Sequence, residues 1–328
     1  MSTAVEPLKQ APEAGSLGPV EIRVKGRSIL VPSAEIDGRT VVASGKWLKI
    51  AAVRDEELIE GDTLHDSLGF VERLKKAGLE ADIFTFSERF PQTGAQSPFY
   101  HEWDSFAVIP ISTYEQWWEH RAAKDVRTAV KKSGRLGVVV REVDLDDKFL
   151  EGVVKIYNEC KYRQGKPFWH YGKDFDTVKR ITSTYPDRSA FIAAYLEDEL
   201  IGFIKMVRVG NTFATLHVIS MKKYSNKKPT NALLAKAVEI CAARGSSHLI
   251  YGNYIYKDPA SSLTEFKRRN GFEGALVPRY YVPLTLKGHA ALRMKLHRGL
   301  SGALPLSVWR AASKLRALAV RRQSNESD

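Results

Sequence analysis

Apolar positions along the chain fall into two rhythms: short alternating runs broken by glycine, and stretches with the three-to-four-residue spacing of a helix face. Residues 20–24, 28–31, 40–43 and 48–53 are of the first kind, with Gly26, Gly38 and Gly45 between them, and predict a β-rich start. Leu68, Val71, Leu74 and Ala77 predict a helix over 64–77 closed by Gly78, followed by a strand at 81–86. Residues 107–111 read as a strand ending at Ser112, which with Glu115 forms a capping box for a charged helix over 114–133 stopped by Gly134. A strand at 138–143 and two amphipathic helices, 148–162 and one after Gly172, come next. Strands at 190–196, 200–209 and 213–221 are joined by turns at Glu197-Asp198-Glu199 and Gly210-Asn211. Pro229 stands at the first position of a helix that ends at Arg244-Gly245. A strand at 248–255, a helix capped by Ser262 and Glu265, and a last strand at 275–285 complete the order. A strand meander followed by crossovers through helices predicts an α+β fold with a mixed sheet flanked by helices.

The chain's 328 residues exceed one average domain. The pattern divides it into a disordered leader (1–17), a small N-terminal αβ unit (18–106), a larger α+β domain (107–286) and a basic helical tail (287–328). The leader lacks the basic start and apolar run of a signal peptide, and no stretch approaches the roughly 20 apolar residues of a membrane span, so a cytoplasmic protein is expected. The net charge is +12. Nine Lys/Arg and no acid lie between Lys287 and Arg322, so the tail holds most of the excess. Its stretch 305–322 is amphipathic, with Trp309 at the edge, which suits peripheral contact with an anionic membrane as well as docking on the body or on a second copy. The two cysteines, Cys160 and Cys241, form no disulfide framework or zinc motif and read as small apolar residues on helix faces. The eight histidines show no metal-ligand spacing, and no helix-turn-helix or zinc-finger pattern points to DNA.

Several motifs occur in a fixed order: Trp117-Trp118 before a basic helix, a strand at 190–196 then Ile201-Gly202, the helix 232–243 ending in Arg244-Gly245, and LTEFKRRNGF at 263–272. Together with EWD at 102–104 and RQGKPFWHYGKDF at 163–175, this order resembles the GNAT superfamily, and within it the Fem-type and BioF2-like acyltransferases. The resemblance covers about residues 103–285. It implies a GNAT-like acyl-CoA N-acyltransferase fold in the larger domain, with the N-terminal unit a degenerate GNAT half. It also implies acyl transfer to an amine acceptor on a sugar, amino acid or peptide, with acyl-CoA as donor and no metal. One departure leaves the donor open. The basic, Gly-rich pyrophosphate signature is replaced by KKYSNKKPTN at 222–231. Fem-type relatives also lack that signature and some use aminoacyl-tRNA, so transfer from charged tRNA stands as the alternative. A non-catalytic ligand- or partner-binding module is the third reading.

Acyl-CoA offers a pyrophosphate, and a helix start offers free amides and partial positive charge. Lys227 and Lys228 before Pro229, with Thr230 and Asn231 in the first turn, therefore form the candidate donor site, against the alternative of a solvated lysine-rich turn. Acyl transfer also needs a base and an acid. By the resemblance, His217 stands at the base position and Tyr254 and Tyr256 at that of the acid for the leaving thiolate. An isolated histidine in an apolar strand equally fits a hydrogen-bonded core residue. Trp169, His170 and Tyr171 crowd one loop between helices and either line the acceptor pocket or anchor that loop. Asn253, by its amide, and Lys267, matching the Phe-Lys of the branch, are candidate substrate ligands, with a packed surface charge the alternative for Lys267.

Overall fold

The computed structural model of the chain describes residues 17–24, 27–61, 64–163, 165–255 and 261–299. Most of the expected leader, and the amphipathic stretch 305–322 with Trp309, lie outside these residues. The described residues form two compact units, 17–103 with 278–299, and 104–277. The anticipated limits at 106 and 286 differ from these because residues 278–299 fold with the first unit.

In the first unit, β1 (Leu17–Val24), β2 (Arg27–Ile36), β3 (Arg39–Ser44) and β4 (Ile50–Val53) form an antiparallel meander. After α1 (Ser67–Lys76), β5 (Ile83–Ser87) lies parallel to β4. Asp66 caps α1 by accepting from the Gly69 amide, and Phe70, Val71 and Leu74 are buried with Phe84 and Phe86 of β5. Burial raises Glu56 from the usual carboxylate range, and the Arg279 guanidinium 2.6 Å away opposes that shift.

The chain continues through β6 (His101–Pro110), α2 (Tyr114–Gln116), α3 (Lys124–Arg135), β7 (Val138–Val143), α4 (Asp147–Asn158) and the small hairpin β8 (Tyr162–Arg163) and β9 (Lys166–Pro167). It proceeds through α5 (Phe175–Thr182), the meander β10 (Ser189–Leu196), β11 (Glu199–Val209) and β12 (Thr212–Ser220), then α6 (Pro229–Ala243) and β13 (His248–Asn253). Last come α7 (Ser262–Arg269), β14 (Glu273–Pro283), whose residues 279–283 pair with β5 in the first unit, and α8 (Leu286–Arg293).

Strands of the second unit follow the order β6-β13-β12-β11-β10-β7. Alternation along β10 separates its two faces. Ile192 and Ala194 pack with α3 and the almost wholly apolar α6, whereas Phe191 and Ala193 pack with Phe149, Val153, Tyr157 and Val178 of α4 and α5. The meander turns fall where expected, with Glu197 and Gly210 at positive φ.

Three local expectations change. The helix over 114–133 is broken: Trp117–Arg121 is a widened turn, and Arg127 Nη1 takes up the carbonyls of Trp118, Glu119 and Ala122 at the break. The cap there is Thr113, extended at φ −129° and accepting from the Gln116 amide, while Ser112 hydrogen-bonds the Gln116 side chain. Ser261 takes the corresponding role for α7.

Lys205 of β11 is buried on the α5 side, donating to Thr182 O (2.8 Å), Thr184 O (2.6 Å) and Thr184 Oγ1 (2.8 Å). Lys205→Met would leave the buried Thr182 carbonyl and the partly buried Thr184 oxygens without their donor, so we expect a loss of roughly 2–4 kcal/mol. Urea denaturation checks this; an unchanged midpoint would mean that the lysine is dispensable.

Candidate active site

β12 and β13 run parallel for three residues each, Thr212–Ala214 against His248–Ile250, and no pairing between them follows. Two irregularities accompany the divergence. On β12, Lys205 faces His217 while Met206 faces Thr215, so Leu216 is an extra residue that re-aims the strand at His217. On β13, the register against β6 shifts between Ile250 and Asn253, with Gly252 at φ 51°. Carbonyls in this stretch of β13 find a partner in Lys267. It is fully buried and donates from Nζ to Tyr251 O and Asn253 O, both at 2.7 Å, with the Tyr251 ring 4.4 Å from the ammonium. Burial pushes Lys267 down to about 8. Lys267 thus holds the free edge of the cleft, with Asn253 taking part through its backbone carbonyl.

His217 faces the α4 side. Its ring lies 6.0 Å from Phe203 and 5.4 Å, edge-on, from His170, and the Tyr157 hydroxyl is 3.5 Å from its Nδ1. Tyr157 is fully buried and packs at 4.2 Å on His170, which also meets Phe168 at 5.3 Å. The structure thereby joins His217 of the strand and His170 of the loop in one aromatic–imidazole cluster. The loop is held by Asn158, which donates to Lys173 O and accepts from the Gly172 amide. Trp169 and Tyr171 flank His170 but stand 59% and 45% exposed.

The segment between β12 and α6 is fixed from outside itself. Glu159, just past α4, accepts from the amides of Lys222 and Lys223, each at 2.7 Å. Arg163 pairs with Glu159 at 3.3 Å, donates to Ser220 O at 2.9 Å and to Ile156 O at 3.3 Å, and lies over the Phe168 ring. One arginine therefore ties the end of β12, the end of α4 and the His170 loop together. Lys228 adopts a left-handed conformation (φ 58°), Pro229 opens α6, and no side chain caps that helix. Its first-turn amides are free for solvent or an anion. Lys227 is half-buried and Lys228 exposed. Thr230 Oγ1 meets Ser220 Oγ at 2.7 Å, and Asn231 donates to Asn270 Oδ1 at 3.4 Å. Gly202 permits this approach, since a Cβ there would lie 2.9 Å from Ser220 and 3.1 Å from Leu233.

Tyr254 sits beyond β13. Its amide donates to Ser105 O, its carbonyl accepts from Thr264 Oγ1, and its ring fills the space left by Gly274. Tyr256 lies outside the described residues. Cys241 is buried in α6 with its thiol pushed up to about 12, which removes thiolate chemistry; Cys160 lies past the end of α4, beside Glu159. Among the described residues no group of three or more His, Cys, Asp or Glu side chains could hold a metal, and no helix is long and apolar enough to cross a membrane. Tyr157 and Glu159 carry no sequence signal beyond proximity to the loop motif, and Arg163 is marked only as the first residue of that motif, because each acts on residues about 60 positions away.

A meander feeding a strand that parts from its parallel neighbour, with an uncapped helix start following, defines an acyltransferase fold of the GNAT type. Residues 120–258 match the family model described as an acetyltransferase (GNAT) domain. No curated protein is similar in sequence. Among solved structures, the C-terminal domain (DUF2156) of a protein named as a lysylphosphatidylglycerol synthetase from Agrobacterium fabrum is 12% identical, over 81% of this chain and 88% of that one, with TM-score 0.53. FemX is 8% identical over 85% and 90%, also at 0.53. L-PGS from Bacillus licheniformis is 13% identical over 79% and 84%, at 0.51. At these identities the likeness is one of fold, and it agrees with the Fem-type resemblance.

A base whose folded-state pKa is lowered makes stability rise with pH, because the unfolded chain holds its proton longer. Between about pH 8 and the ordinary lysine value of 10.5, Lys267 should therefore add stability, up to about 3 kcal/mol. Urea midpoints of the native chain and of Lys267→Met, followed over this range, should converge or part accordingly: the native midpoint gains on the variant as pH rises. Parallel curves would show that the buried ammonium titrates normally.

Proposed function

We propose that the second unit transfers an acyl group from an acyl-CoA to an amine acceptor in the cleft between β12 and β13. The observation that carries this reading is the joint placement of a bulge presenting His217 and an uncapped α6 after the same strand. The α6 amides, Lys227 and Lys228 would hold the donor's pyrophosphate, with Thr230 and Asn231 shaping the first turn. His217 takes a proton from the acceptor ammonium. The freed amine attacks the thioester carbonyl; the new C–N bond forms, the C–S bond breaks, the thiolate collects a proton from Tyr254 or Tyr256, and the surplus proton left on the nitrogen restores the tyrosine through solvent. A hydrogen bond from Nδ1–H of His217 to the Tyr157 oxygen would leave Nε2 as the basic nitrogen. His170, with Trp169 and Tyr171 beside it, would line the acceptor side together with Asn253.

Transfer from charged tRNA is the second reading, and the fold shared with FemX favours it. The bond broken would then be an ester, and the four lysines of the turn (222, 223, 227 and 228) would meet phosphates of the nucleic acid. On either reading the first unit stands as a degenerate GNAT half, and the basic tail offers peripheral membrane contact.

Calorimetric titration with acetyl-CoA and coenzyme A separates the donors. We expect micromolar binding, weakened about tenfold or more by Lys227→Ala/Lys228→Ala, the scale of losing roughly 1.4 kcal/mol of phosphate contacts. No binding up to millimolar donor would overturn the coenzyme A reading. Salt-sensitive binding of charged tRNA would then support the second, and failure of both would leave a ligand- or partner-binding module.

A further inference from the structure

The first unit contains an open cavity of about 750 Å3 walled by Tyr100, His289, Ala290, Leu292, Arg293 and Lys295. His289 and Arg293 are four residues apart on α8 and so share one face. Lys295 follows the helix in a left-handed conformation, φ 57°, with its amide closing onto Leu292 O at 3.0 Å. Glycine or asparagine usually fills such a position, and a lysine there costs about 1 kcal/mol. Among the described residues no acid pairs with His289, Arg293 or Lys295. Several other cations of this unit are matched, among them Arg73 by Asp37 (2.7 Å), Lys287 by Asp82 (2.9 Å) and Arg298 by Glu102 (2.8 Å). Glu102 also accepts from the Tyr100 hydroxyl (3.0 Å), but Arg298 engages both its oxygens and His297 adds a third partner. Its charge is thus already met.

Basic residues at a helix C-terminus complement the helix dipole, which would account for Arg293 and Lys295 alone. It does not account for a cavity that adds an aromatic wall and an aliphatic floor to unmatched cations. Arginine binds phosphate through its planar fork, lysine as a point charge, and a tyrosine ring accepts a stacked base. The volume lies within the range of small-molecule sites. We propose that this cavity binds a nucleoside phosphate, with the phosphate against Arg293 and Lys295 and the base on Tyr100. The site lies in the first unit and is independent of the acyl-transfer cleft.

Calorimetry on the full chain with AMP, adenosine and inorganic phosphate tests it. AMP should bind about tenfold or more tightly than adenosine or phosphate. Arg293→Ala/Lys295→Ala should weaken AMP by a similar factor, and Tyr100→Leu should erase its advantage over inorganic phosphate, with thermal midpoints unchanged. Lys227→Ala/Lys228→Ala should leave AMP binding as it was, which separates this site from the donor site. The proposal is overturned if AMP binds no better than adenosine, or if the cavity substitutions do not affect it. Binding only to phosphatidylglycerol vesicles, lost in the same variants, would also overturn it and assign the cavity to a lipid surface.

Discussion

The Glu159 carboxylate, accepting the amides of Lys222 and Lys223, is the contact on which the geometry of the candidate site depends. A phosphate-binding turn is usually built from glycines, whose bare backbone can approach an anion closely. The turn here has none, and like-charged lysines in succession would by themselves favour an extended, solvated loop. A carboxylate bonded to two backbone amides and to Arg163 supplies the missing constraint. Since Arg163 also grips Ser220 and Ile156 and covers Phe168, the His170 loop and the lysine-rich turn share one anchor.

Two buried lysines repeat this logic at other points of the second unit. Lys205 binds three oxygens between α5 and β10, and Lys267 binds two carbonyls of β13 beside the open cleft. A strand that leaves its neighbour must satisfy its carbonyls elsewhere or lose them to water. Lys267 does this from α7, so the cleft remains open without fraying. Lys267, which the sequence offers as a substrate ligand or a packed surface charge, is buried and clamps this strand.

Element order was legible in the sequence because periodicity and turn chemistry act locally. The meander, the Pro229 start of α6 and the Gly210 turn needed only neighbouring residues to be identified. What escaped was non-local. Arg127 breaks the expected long helix by taking three carbonyls of the preceding turn, which no periodicity announces. Tyr157 lies within the amphipathic helix expected at 148–162, and nothing local marks that its hydroxyl meets His217. Trp169, His170 and Tyr171 are not told apart by the sequence, and only the structure shows His170 as the ring packed against His217 while the other two stand exposed. The return of residues 278–299 to the first unit was hidden for the same reason, since β14 pairs with β5 almost 200 positions earlier.

Hydrogen–deuterium exchange with and without acetyl-CoA tests the central claim most directly, because the first amides of an uncapped helix exchange freely unless a ligand occupies them. Slowed exchange at residues 217–221 and 228–233, with α1 of the first unit unchanged, is the predicted result. Unaltered exchange in both segments at saturating donor, or protection confined to other parts of the chain, would contradict a donor site at the start of α6.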